Sequence, residues 1–193
     1  MEIGHHSVAI GHNAQSPALS SSRLQSRAVE LLNSAHEYGA HNPAKVLQSL
    51  ARLHELMIIQ HPKVLIPQYG VEVFEFRNSR NAKVRKYTVK LAEDVVKKTP
   101  PSHKLSVLQS LLETCVWLVD DKSGDVVKRT ISCLSNTVLP ALVAATLAKR
   151  NRPDLIAQFW QSLLHLAHKV QTICESSQNR GLQRTAANYL QRF

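Results

Sequence analysis

Apolar positions recur at helical spacing along almost the whole chain. Leu24, Ala28, Leu31, Leu32 and Ala35 share one face of RLQSRAVELLNSAHEYG, and Gly39 supplies a natural stop. The next run, NPAKVLQSLARLHELMIIQ, opens with Asn42 as N-cap and Pro43 as first helical residue. Its buried face is predicted to be Val46, Leu50, Leu53 and Met57, widened by Leu47, Leu56 and Ile58. HPKVLIPQYGVEVFEF is interrupted by Pro67 and Gly70 and predicts a short, distorted helix.

From Asn81, a second candidate cap, Val84, Thr88, Leu91 and Val95 follow at i, i+4, i+7 and i+11, up to Pro100 and Pro101. Ser102 is then the expected N-cap of a helix with a broad apolar face from Leu105 to Val119. After the turn KSGD comes VVKRTISCLSNTVLPALVAATLAK, which Pro140 should kink or divide. The loop RNRPD precedes a helix from Leu155 to about Cys174, and LQRTAANYLQRF forms a last helix running off the chain end. Clean alternation and hairpin turns are lacking, so the fold class is all-α. Residues 1–22 are Ser, His, Gly and Asn without a period and read as a disordered lead-in to a domain spanning 23–193.

Two helix starts repeat each other. Superposing Val84 on Val126 aligns VRKYTV with VVKRTI, and a weaker third copy, LQRTAA, begins at Leu182. Each has an aliphatic residue, one position, a basic residue, and Thr or Ala two further on. The spacings are 42 and 56 residues, and the first lies in the range of about 40–47 residues that marks HEAT or armadillo units. Each such unit is an antiparallel helix pair that buries its apolar face only against its neighbours. The expectation is a right-handed α-solenoid of three to four pairs, with helices at about 43–59, 82–98, 125–147 and 181–193 as the inner layer. The aliphatic residue should enter the core, and the basic one should reach a carboxylate or carbonyl of the next unit.

Composition narrows the chemistry. Lys and Arg number 24 against 14 acidic residues, a net charge of +10, which suits an acidic partner without choosing one. From Val126 onward nine Lys or Arg face only Asp154 and Glu175. Cys115, Cys133 and Cys174 lie in apolar helical patterns and read as buried thiols of a reducing compartment. The first 22 residues fit neither a signal nor a transit peptide. VLPALVAATLA, 11 residues with Pro140 inside, is too short to span a bilayer, so no membrane is expected.

His165 and His168 stand at i, i+3, yet no carboxylate or Cys accompanies them in that turn, and no metal is expected. DDKSGD fails as a calcium loop because Ser132 occupies the twelfth position and Gly124 is misplaced. Phosphate-loop, dinucleotide and zinc-protease motifs are lacking, so neither an enzyme nor a cofactor is expected.

The runs VLQSLARLHELMI, NAKVRKYTVKLAED, LVDDKSGDVVKRTI and NRGLQRTAANYL, in this order and at these intervals, resemble the amino-terminal HEAT domain of the symplekin family. The likeness covers about residues 24–193. It implies a nuclear, non-catalytic scaffold of pre-mRNA 3′-end cleavage and polyadenylation, bound to other processing factors. It also implies that the concave face holds the phosphatase acting on the RNA polymerase II carboxy-terminal tail. Family members are far longer, so the resemblance implies a HEAT-repeat domain truncated at its C-terminal end. If the inner helices form that face, Lys86, Lys90, Lys128, Arg184 and Asn188 should project towards it or its rim; the family has a partner-facing basic residue near Asn188.

The alternative is a basic α-solenoid binding RNA directly. Arg77, Arg80, Lys83, Arg85, Lys86, Lys128, Arg129, Arg180, Arg184 and Arg192 would form a positive ladder along a phosphate backbone. Only Tyr87, Tyr189 and the terminal Phe193 accompany them, which is sparse for base stacking.

Overall fold

The computed structural model describes residues 20–39, 41–148 and 152–193. Most of these are helical, and no strand occurs among the described residues. The helices are α1 (Ser21–Tyr38), α2 (Pro43–His54), α3 (Pro62–Tyr69), α4 (Ala82–Lys98), α5 (Lys104–Leu118), α6 (Gly124–Cys133), α7 (Leu139–Leu147), α8 (Pro153–Ser176) and α9 (Arg180–Leu190). A 3₁₀ stretch, Glu72–Asn78, follows α3. Of the expected lead-in, residues 1–19 lie outside the described residues, and Ser21 and Ser22 already belong to α1.

Local signals set most helix starts. Asn42 Oδ1 accepts from Lys45 N, with Pro43 behind it in the first turn, where a missing N–H costs no intrahelical bond. Asn81 Oδ1 accepts from Lys83 N at 2.9 Å, and Asn179 Oδ1 from Leu182 N at 3.1 Å. Ser102 does not cap α5. Pro100 to His103 form a turn of their own, closed by His103 N donating to Pro100 O, and the helix starts one residue later with His103 as its cap position.

Pro140 divides the helical hydrogen bonding without ending the rod. A π-helical turn, Leu134–Val138, joins α6 to α7, and the helix continues from Gly124 to Leu147. A second π-helical stretch, Glu55–Gln60, extends α2. Each wide turn ends two residues before a proline, Pro62 or Pro140, whereas Pro67, expected to interrupt its helix, lies inside α3. The α6–α7 rod is long and apolar enough to cross a bilayer, contrary to the expectation drawn from its 11-residue run; half of its most apolar window is buried inside the fold. The last helix ends at Leu190 in a turn rather than running off the chain.

The helices that carry the recurring stretches pack on one another. α2 lies on α4, α4 on α6, and α6 on α9, so the four stretches expected as one layer do pack in succession. Behind them α1 packs on α2, α5 on both α4 and α6, and α8 on α9, with α5 also touching α8. The recurring residues occupy equivalent places. Val84, Val126, Thr88, Thr130 and Ala186 are fully buried and Leu182 nearly so. Each Thr hydroxyl donates to the carbonyl four residues back, Val84 or Val126, which satisfies it inside the core. Cys115 and Cys133 are buried free thiols, whereas Cys174 is only half-buried, at the edge where α8 meets α9.

Candidate partner-binding groove

One stripe of α4 faces the core and another faces out. Lys83, Lys86 and Lys90, at i, i+3 and i+7, are exposed on the second. With Leu47 of α2, Ala82, Tyr87, and Ser123 and Asp125 at the start of α6, they line an open groove of about 460 Å³. A larger, shallower hollow of about 790 Å³ lies beside α1, but its only charged residues are Glu30 and Glu37, which offer nothing to an acidic partner.

Lys86 Nζ donates to Asp125 Oδ2 at 2.9 Å, an exposed pair across the α4–α6 joint. That hydrogen bond and the ammonium charge hold the Asp125 carboxyl below the usual carboxylate range. Lys90 Nζ stands 5.8 Å from the centre of the Tyr87 ring. Tyr87 is fixed from behind: its hydroxyl and His54 Nδ1 are 3.0 Å apart, and His54 Nε2 lies 3.3 Å from Asp94 Oδ2. In the neutral ring this suits Nε2–H donating to Asp94 and Nδ1 accepting from Tyr87. Burial pushes the His54 pKa down despite Asp94, and burial pushes the Tyr87 phenol up.

All five expected site residues are exposed, but they are not gathered in one place. Lys86 and Lys90 share the groove. Lys128 lies beyond it on α6, with Nζ 3.4 Å from where a Cβ would stand on Gly181 in the first turn of α9. Arg184 and Asn188 sit one turn apart on α9.

The positive ladder is thinner than its sequence. Arg85 is held by Asp121, Arg129 by Glu93, and Arg77 reaches Thr114. Arg192 donates to Ser135 and Asn136. These four connect helices to one another. Sequence reasoning left Lys83 out of the site although its spacing from Lys86 gave it away. It missed the His54–Asp94 support of Tyr87, which joins two helices and has no local signature.

Among the described residues no group of three His, Cys, Asp or Glu side chains stands close enough to hold a metal ion, and His165 and His168 are exposed on α8. No family model matches the chain, and no curated protein matches it.

Proposed function

We propose that the chain is a non-catalytic α-solenoid of HEAT-like helix pairs that docks an acidic protein surface along α2, α4, α6 and α9. The partner proposed is the phosphatase of the RNA polymerase II tail, within the nuclear 3′-end processing machinery, as the symplekin resemblance implies. One observation carries the reading. The repeated position after the buried aliphatic residue is Lys86, Lys128 and Arg184, and all three are exposed on helices that pack in succession. A cation repeated at one register of stacked units forms a row of positive charge, which steers and orients an acidic partner.

The test is a pull-down of purified tail phosphatase by the wild-type chain and by Lys128→Glu and Arg184→Glu, with circular dichroism to show that all are folded. Capture by the wild type and loss in both variants supports the reading. Unchanged capture by the folded variants, or RNA binding that weakens steeply with salt in the absence of phosphatase capture, overturns it.

A further inference from the structure

We propose that the groove between α2, α4 and α6 binds an extended acidic peptide segment of the form acidic–any–apolar–any–acidic. This deepens the docking reading and rests on it only in taking this row of helices as the one facing a partner. The floor of the groove is apolar, made by Leu47, Ala82 and the Tyr87 ring, and its near edge carries Lys83, Lys86 and Lys90. The Tyr87 ring is already held by His54 and Asp94, so a ligand that stacks on it does not have to order it.

The charges set the ligand's spacing. Lys86 is occupied by Asp125, whereas Lys83 and Lys90 have no ion-pair partner among the described residues, Lys90 standing over the Tyr87 ring. Lys83 and Lys90 are seven residues apart, about 10 Å along the helix. In an extended peptide alternate side chains share a face, and residues four apart stand about 13 Å apart. Two flexible lysine side chains bridge that difference. The middle residue of the five then points to the same face as both acids and falls on the apolar floor.

A carboxylate-bearing peptide fits better than a nucleic-acid strand for two reasons. Asp125 neutralises the middle lysine, which leaves two separated cations that match two spaced carboxylates rather than a continuous phosphate backbone. Tyr87 is also the one aromatic ring lining the groove, whereas single-strand binding calls for successive stacked bases.

The probe is a fluorescein-labelled nine-residue peptide with Glu-Gly-Leu-Gly-Glu at its centre, titrated with the whole chain and followed by anisotropy. Saturable binding is expected. Lys83→Ala and Lys90→Ala should each weaken it about threefold to fivefold, as rim charges do. Replacing the peptide Leu by Ser should weaken it about tenfold by removing the burial of an aliphatic side chain. Lys63→Ala, which removes an exposed lysine of α3 away from the groove, should leave the affinity unchanged. Absence of binding overturns the proposal, as does equal weakening by Lys63→Ala. So does an oligonucleotide that competes for the groove more tightly than the peptide. If the peptide fails while the phosphatase is still captured, this inference falls and the docking reading stands. If the peptide binds and the phosphatase is not captured, the reverse holds.

Discussion

Arg85 grips both oxygens of Asp121, Nε to Oδ2 at 2.6 Å and Nη2 to Oδ1 at 2.7 Å, across the joint between α4 and the turn that leads into α6. The same guanidinium donates to the carbonyls of Ser79 and Arg80, and Asp121 Oδ1 accepts from Ser123 N. The pair is almost enclosed, with 14% of the Arg85 side chain and 6% of the Asp121 side chain exposed. Burial would raise the Asp121 pKa, but the Arg85 hydrogen bonds, the Ser123 N–H and the Arg85 charge together hold it below the ordinary value. Removing one member therefore strands a buried charge. Asp121→Ala should cost about 3 kcal/mol in denaturant unfolding, near the lower end for broken buried pairs. Lys86→Ala, which breaks the exposed pair with Asp125 one position along, should leave the unfolding midpoint essentially in place.

Glu93 makes the second link, from α4 to α6 and the π-helical turn that follows it. Its side chain is 4% exposed. It accepts from Lys97 and from Thr137 Oγ1, each at 2.7 Å, and pairs with Arg129. Burial pushes its carboxyl up, yet the Lys97 and Thr137 hydrogen bonds and the Arg129 and Lys97 charges outweigh it and leave the pKa below the ordinary 4.5. A carboxyl with a lowered folded pKa contributes stability that is fully present above the unfolded value and is lost as pH falls through the folded one. Urea midpoints should thus decline below about pH 4.5, and Glu93→Gln should shrink that decline while lowering the midpoint at pH 7. Thr137→Val should cost about 1 kcal/mol at neutral pH, the worth of one hydrogen bond.

These two links explain where sequence reading succeeded and where it stopped. Asn42 and Asn81 cap helices whose N–H groups lie two or three residues away, so type and position in the sequence suffice. The buried Val84 and Val126 were legible for the same reason: a helical period is local, and its recurrence after 42 residues marks the repeat. Arg85–Asp121 and Arg129–Glu93 each join residues 36 positions apart. Until the helices are packed, such an arginine looks the same as a solvated one, which is why Arg85 and Arg129 entered the positive ladder. At the groove, Lys86 and Lys90 were expected on the partner-facing side of an inner helix, and both line it. The His54–Tyr87 contact, 33 residues apart, was not. The π-helical turns were hidden too, although the prolines that follow them were in view.

Gly70 is placed by close approach rather than by a left-handed backbone. A Cβ there would stand 3.0 Å from Val95 Cγ1 and 2.6 Å from the Ile66 carbonyl oxygen, and both neighbours are buried. Gly70→Ala should destabilise by about 1–3 kcal/mol, the range for overpacking a core. Gly124 provides the contrast, since a Cβ on this first residue of α6 meets nothing within 4 Å. Gly124→Ala should stabilise by about 0.5–1 kcal/mol by restricting the unfolded chain and favouring the helix. Equal losses in the two variants would contradict both placements.

The last prediction concerns pH and the wall of the groove. His54, the last residue of α2, packs against α4, facing Tyr87, Asp94 and Lys90 there and Glu55 next to it in the chain. Burial lowers its pKa more than Asp94 restores it, and Lys90 lowers it further, so the folded value lies below the ordinary 6.5. For a base lowered in this way the unfolded chain takes up its proton first. The contribution to stability is complete above pH 6.5 and shrinks as pH falls from there through the folded value. Protonation also gives Nδ1 a hydrogen, so the Tyr87 hydroxyl must turn from donor to acceptor to keep the contact. Thermal midpoints should therefore be flat above about pH 7 and fall below pH 6.5, and His54→Gln should flatten the curve in that window. The glutamine amide does not titrate, so its variant tests charge uptake and not the loss of the hydrogen bond alone. A His54→Gln curve that falls as steeply as the wild type between pH 6.5 and 5 would place the titrating group elsewhere.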